Sequence, residues 1–245
     1  MRFLFPKLLL CCLCSAALLL FSQAKAQTIH LKTENYPPFN MTGPGESIIG
    51  ISTEIVETLF KRAGIDYTLE LLPWQRAFSL ALNEKHNAVF STTRTAEREA
   101  KFKWVGPLVE NNWVFLAKQS KNISVKSLEE AKKYRVGGYL GDAVALYLTD
   151  QGFDMDLTPK DDLNARKLDR DRIDLWATGH LLGPYYAKQQ GFLPCFVVPV
   201  MTFRETIMSI AFNPDTDDSI IDKLNAELEA MKREGVVTQI QGRYR

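Results

Sequence analysis

Three histidines, His30, His86 and His180, are scattered through the chain with no paired spacing that could hold zinc. Neither a G-x-S-x-G elbow nor a phosphate-binding glycine loop occurs. The chemistry on offer is recognition of a charged solute. Arg98 ends the run Thr95-Ala96-Glu97-Arg98, and a planar guanidinium can place two parallel charge-assisted bonds on one carboxylate, which lysine cannot. The run is also rich in charge (Arg94, Glu97, Glu99, Lys101), so a solvated face is the competing reading. Ser91 and Thr93 leave the preceding segment as alternate residues and can face the same way; ordinary turn chemistry at a strand end is the alternative. Tyr36 and Trp74 offer flat apolar faces or, equally, core packing. Gly141-Asp142-Ala143 opens a helical stretch whose first N–H groups can meet an anion. Asp142 is a natural N-cap there, yet it puts negative charge where the anion would come.

The elements that must position these residues alternate between strand and helix patterns, which points to an α/β fold. Residues 28–32 alternate like a strand and run into Tyr36-Pro37-Pro38-Phe39, where prolines exclude both helix and ladder. Ile51, Ile55, Val56, Leu59 and Phe60 share a helical face that Gly64 ends. A strand over 67–72, a helix from the Pro73-Trp74 turn through Leu82 and a strand over 87–91 complete a parallel half-domain. A second half-domain begins after residues 113–116. It has a capped helix start at 127–130, strands at 134–138, 173–176 and 196–200, and helices over 143–149 and 181–190. A strand over 206–212 and an amphipathic helix over 219–234, ended by Gly235, close the chain.

The first residues read as an export signal. Arg2 and Lys7 precede an apolar run from Leu8 to Phe21, and Ala24-Lys25-Ala26 is a cleavage signature before Gln27. Lipoprotein processing at Cys11, Cys12 or Cys14 is the alternative, but no small residue precedes any of them. Cleavage would leave Cys195 as the sole cysteine, which excludes a disulfide framework; between Pro194 and Phe196 it is expected as a buried strand residue. Thirty basic residues less Arg2, Lys7 and Lys25 stand against twenty-nine acidic ones, a net charge of about −2. That leaves no basic excess for nucleic acid.

In their order, Tyr36-Pro37-Pro38-Phe39, Gly50 before a helix carrying Glu54, Pro73-Trp74, Thr95-Ala96-Glu97-Arg98, Gly106-Pro107, Arg172-Ile173-Asp174 and the final helix with Gly235 resemble the bacterial family 3 solute-binding proteins. The resemblance spans essentially the whole mature chain. It implies a type II periplasmic binding protein fold with parallel-sheet lobes joined by a two-strand hinge. The signal peptide would be residues 1–26, lobe one 27–112 and 205–245, and lobe two 113–204. It further implies a monomeric periplasmic receptor, without cofactor or enzymatic activity, that closes over a small solute and delivers it to an ABC permease or a sensor. Arg98, with Ser91 and Thr93, would hold a ligand carboxylate, with Tyr36 and Trp74 as aromatic walls. Cyclic-acid dehydratases on the same fold are the alternative, with Glu34 or Asp174 as the acid.

Two departures from the family pattern bear on the ligand. The acidic acceptor that usually holds a ligand ammonium falls on Gly179, and Arg76 and Arg94 add positive charge near the carboxylate site. Together they predict a carboxylate-bearing or otherwise anionic small solute, with net negative charge or without an α-ammonium, rather than a plain zwitterionic amino acid, unless Glu34, Glu54 or Asp142 takes over the ammonium contact.

Overall fold

The computed structural model describes residues 28–244; the expected signal peptide lies outside them. Lobe-one strands are β1 (Ile29–Thr33), β2 (Met41–Thr42), β3 (Ile48–Ile49), β4 (Tyr67–Leu71), β5 (Asn87–Thr93) and β6 (Lys103–Glu110). They alternate with helices α1 (Ile51–Ala63), α2 (Trp74–Asn83) and α3 (Ala96–Glu99). The chain then crosses into β7 (Trp113–Lys118), α4 (Leu128–Ala131), β8 (Val136–Tyr139), α5 (Ala143–Asp150) and β9 (Met155–Thr158). There follow α6 (Leu163–Asp169), β10 (Leu175–Gly179), α7 (Leu182–Gln189) and β11 (Val197–Arg204). The chain returns through β12 (Ile207–Phe212), α8 (Asp218–Arg233) and α9 (Val236–Gly242).

Two five-stranded sheets result, ordered β4-β1-β5-β12-β6 and β11-β7-β10-β8-β9. Each forms the centre of one lobe. The strand–helix–strand crossovers do give parallel pairs: β1 with β4 and β5, and β8 with β9 and β10. The sheets are nevertheless mixed rather than parallel. β12 runs antiparallel to β5 and β6, and β7 antiparallel to β10 and β11. The reason is the hinge: β7 and β12 enter their sheets directly from the other lobe, without a helical crossover to reverse the chain.

The hinge consists of the short links between β6 and β7 and between β11 and β12. They lie side by side, with Asn111 N donating to Thr206 O at 2.8 Å and Thr206 Oγ1 donating to Asn111 O at 2.5 Å. Register continues through both ends, Ile207 opposite Glu110 and Arg204 opposite Trp113. Such paired links allow rotation of one lobe on the other while each sheet stays intact.

Burial follows the sequence periodicity. The apolar face of α1 (Ile55, Val56, Leu59, Phe60) meets Leu224, Leu228 and Met231 of α8 in the lobe-one core. Gly50 starts α1 at φ 130°, and a Cβ there would lie 2.4 Å from the Phe39 carbonyl oxygen; only glycine fits. Trp104, Trp113 and Trp176 are all buried. Cys195 is not: it is exposed in the turn before β11. The bend at Leu193-Pro194 delays the strand to Val197 and leaves the thiol outside.

Candidate functional site

The site forms where the C-terminal ends of β1, β5, β8 and β10 face one another across the hinge. Four side chains bridge the lobes. Trp74 Nε1 donates to the Gly141 carbonyl at 3.1 Å, Tyr139 OH to Glu34 Oε2 at 3.3 Å, Tyr186 OH to the Asn35 carbonyl at 3.0 Å, and Tyr185 OH to the Met41 sulfur at 3.2 Å. The lobes are therefore held closed by side chains that either lobe alone would leave partnerless.

Arg98 sits at this junction, 8% exposed. The turn of α3 carries it inward, where its guanidinium lies 5.2 Å from the ring centroids of both Trp74 and Phe78. Those rings begin an aromatic row through Phe102 to Trp104 that fixes the shelf beneath the cation. Nη1 donates to the Thr93 carbonyl at 3.2 Å, and no carboxylate among the described residues pairs with the group. Burial pulls its pKa down, against the pull of Asp142, Glu34 and Glu97 in the opposite direction. A guanidinium has five N–H donors, so most remain available to an anion.

The other expected site residues lie around it. Tyr36 and Trp74 are buried at 6% and 7% exposure and face the cleft, Tyr36 through a 3.2 Å bond from Asn111 Nδ2. Thr93 contributes its carbonyl, while the Ser91 hydroxyl turns to Asn40 Oδ1. Ser91 itself has φ 57°, a left-handed conformation that non-glycine residues seldom adopt and that recurs at ligand-gripping segments. Asp142 caps α5 as expected, accepting from Ala143 N at 2.7 Å. That capping bond places a carboxylate at the helix end and takes up the Ala143 N–H.

Arg76 and Arg94 require correction. Both are exposed. Arg94 is ion-paired with Glu99 and lies 5.5 Å from the Trp104 ring centroid, on the solvent side of the aromatic row. Neither lines the two cavities at the junction, and Arg94 is paired with Glu99; the second cation beside Arg98 is Arg204. The stand-in Glu54 and the dehydratase candidate Asp174 are also elsewhere. Glu54 bonds Arg243 and Tyr244, and Asp174 pairs with Arg135 at 2.8 Å, at the opposite end of β10 from Gly179.

The charge balance in fact runs the other way. A cavity of about 410 Å³ opens beside the junction, lined by Glu34, Tyr36, Tyr139, Asp161 and Tyr186 among others. Arg98 lines a smaller one of about 180 Å³ with Thr95, Ala143 and Arg204. Desolvation, then the nearness of Asp142, pushes the Glu34 carboxyl well up from its ordinary range. Burial likewise raises Asp142, with Arg98 opposing. Asp161 is 7% exposed and burial pushes it up to about 7, although three donors oppose the shift. Glu34 and Asp142 thus act on the Arg98 guanidinium, and Asp161 acts in turn on Glu34.

Asp161 escaped sequence reasoning, because residues 152–172 were assigned no element. The available signal was Pro159 followed by two acids ahead of Leu163 and Leu168, a helix-start pattern. Tyr139 and Tyr186 gave no such signal. Each lies at the end of an apolar segment and looks like core.

With this geometry in view, the comparisons with known proteins acquire meaning. The profile of the bacterial extracellular solute-binding proteins, family 3, matches residues 29–245. The arginine-binding extracellular protein ArtP of Bacillus subtilis is 23% identical, over 90% of this chain and 86% of its own length. The L-cystine-binding protein TcyJ of Escherichia coli is 21% identical, over 85% of this chain and 79% of its own. Among solved structures, a histidine kinase sensor domain similar to periplasmic binding proteins aligns with TM-score 0.80 at 17% identity, covering 89% of this chain and 95% of that one. An ancestral arginine-binding protein bound to arginine aligns with TM-score 0.76 at 23% identity, covering 89% and 97%. The family model and the curated relatives describe proteins that bind their solutes rather than transform them. Both sheets, the paired hinge and the cleft lie within the matched residues, and the chain belongs to the bacterial extracellular solute-binding proteins, family 3.

Proposed function

We propose that the mature chain is a periplasmic receptor whose two lobes close over a small, amino-acid-like solute bearing a carboxylate and a cationic group. The observation that carries this reading is Arg98: a buried guanidinium on an aromatic shelf at the lobe junction, with no carboxylate partner among the described residues. A buried charge left unpaired is costly, and a ligand carboxylate forked onto it relieves that cost. The surrounding Glu34, Asp142 and Asp161 favour a solute that also carries positive charge. Relatives named for arginine and cystine binding fit such a solute.

Exclusion of water by the closing lobes strengthens both contacts. The bridges Trp74–Gly141, Tyr139–Glu34 and Tyr186–Asn35 then report occupancy to the outer faces. A permease of the ABC type reads that closure, and the chain acts as a monomer that shuttles between solute and membrane. Export by the leader places it outside the cytoplasm. Among the described residues no helix is long and apolar enough to cross a membrane.

A melting-shift screen of the mature protein against basic, neutral and acidic amino acids, dicarboxylates and polyamines tests the reading. Basic amino acids are expected to raise the melting temperature. Stabilisation by dicarboxylates alone would reject the cationic part, and stabilisation by polyamines alone the carboxylate part.

A further inference from the structure

We infer that Asp161 is the specificity-determining residue that holds the solute's cationic group, in place of the acceptor missing at position 179. This rests on the receptor reading above and assigns one of its contacts.

Position 179 is closed to an acid. A Cβ on Gly179 would lie 2.5 Å from Asn111 Oδ1 and 3.0 Å from the Tyr36 hydroxyl. The space a carboxylate would need is filled by the hinge. Asp161 of the same lobe is tied to the adjoining residue of β10: Thr178 Oγ1 donates to Asp161 Oδ2 at 2.7 Å. Trp176 Nε1 and Asn164 Nδ2 donate to Oδ1 at 2.8 and 2.9 Å. All three donors are neutral, so they fix the carboxylate without neutralising it. No ion pair to Asp161 exists among the described residues, and the nearest basic residue in sequence, Lys160, is exposed at the cavity rim. A buried, rigidly oriented acid on the wall of a 410 Å³ cavity is half of an ion pair.

Arg98 and Asp161 do not line the same cavity. Glu34 and Asp142 lie between them electrostatically, each influencing the titration of others in the set. A solute that reaches both presents its carboxylate to Arg98 and its cation to Asp161. That cation is an α-ammonium or a side-chain guanidinium, and the two sources can be separated by probe.

The test is titration calorimetry of the mature wild type and of Asp161→Asn with L-arginine, Nα-acetyl-L-arginine and L-glutamine. The acetylated probe keeps only the side-chain cation, and glutamine only the α-ammonium. Asp161→Asn keeps the size and two of the three hydrogen-bond geometries. It is expected to weaken L-arginine at least thirtyfold, and equally to weaken the single-cation probe that binds the wild type better. Circular dichroism and melting check that the variant folds; Asp161→Ser serves if it does not. Binding of L-arginine by a folded variant within threefold of wild type overturns the inference and leaves the receptor reading standing, with Asp161 a structural anchor only. Failure of the wild type to bind any of the three probes overturns both.

Discussion

Asp161 makes the apo protein's stability depend on pH in a direction opposite to ordinary acid denaturation. Its carboxyl stands at about 7 in the folded chain against an ordinary 3.8. Between those values the folded protein keeps a proton that the unfolded chain has released. Its contribution is therefore greatest below pH 4, falls as pH rises through the folded value, and levels off above about 7. A shift of that size is worth about 4 kcal/mol in total, of which about 2.5 kcal/mol falls between pH 5 and 7.5. Glu34 and Asp142, also raised by burial, act in the same direction. His180, whose pKa burial lowers, acts in the opposite one as pH rises towards 6.5. The assay is urea unfolding of the ligand-free wild type and of Asp161→Asn at half-unit steps from pH 5 to 8. The difference between the two proteins removes His180 and every unrelated group. Wild-type stability is expected to fall relative to the variant by about 2–3 kcal/mol across the range. A difference that stays flat, or that grows in the wild type's favour, would refute the argument that this carboxyl is desolvated and unpaired.

Other outcomes follow from the same geometry. Because a cationic solute favours ionised Asp161, binding below pH 7 should release a proton, seen as different calorimetric heats in phosphate and Tris buffers of equal pH. Gly179→Asp should destabilise the fold by about 1–3 kcal/mol through overpacking against Asn111 and Tyr36 rather than improve ligand binding, as urea unfolding will show. Trp74→Phe removes the 3.1 Å bond to Gly141; at about 1 kcal/mol, it should weaken binding roughly fivefold and increase the radius of gyration of the ligand-bound form. Cys195 should react with a thiol reagent in the folded protein as fast as in urea.

The fold was legible because its signals are local. Period-3.6 runs such as Ile51–Ala63 and stop residues such as Gly64 act within a few residues of themselves. The ordered landmarks from Tyr36 to Gly235 then supplied the two-lobed arrangement. Strand direction at the hinge was not legible, since β7 and β12 are set by where the chain crosses between lobes and not by their own composition. Arg98, the proposed anion contact, stands in a recognisable run, and its place at the lobe junction could be anticipated from it. The charge balance of the site could not. Arg94 is close to Arg98 in sequence but stands on the exposed side of the aromatic row, paired with Glu99. Asp161 is far from Arg98 in sequence and reaches the cleft only because β10 and the 159–162 loop fold against each other. Proximity along the chain misled in one direction and distance in the other.

The most direct test of the central claim is the melting temperature of wild type and Arg98→Ala, side by side, with and without L-arginine. A ligand at a hundred times its Kd adds about 2.7 kcal/mol, a rise of about 5–10 °C for a chain of this size. Loss of a desolvated charge contact typically costs about 2–5 kcal/mol of binding, enough to cut that rise to less than about 4 °C. The account predicts a clear shift for the wild type, a small one or none for Arg98→Ala, and closely similar melting of the two proteins without ligand. An equal ligand-induced shift in both proteins would contradict it.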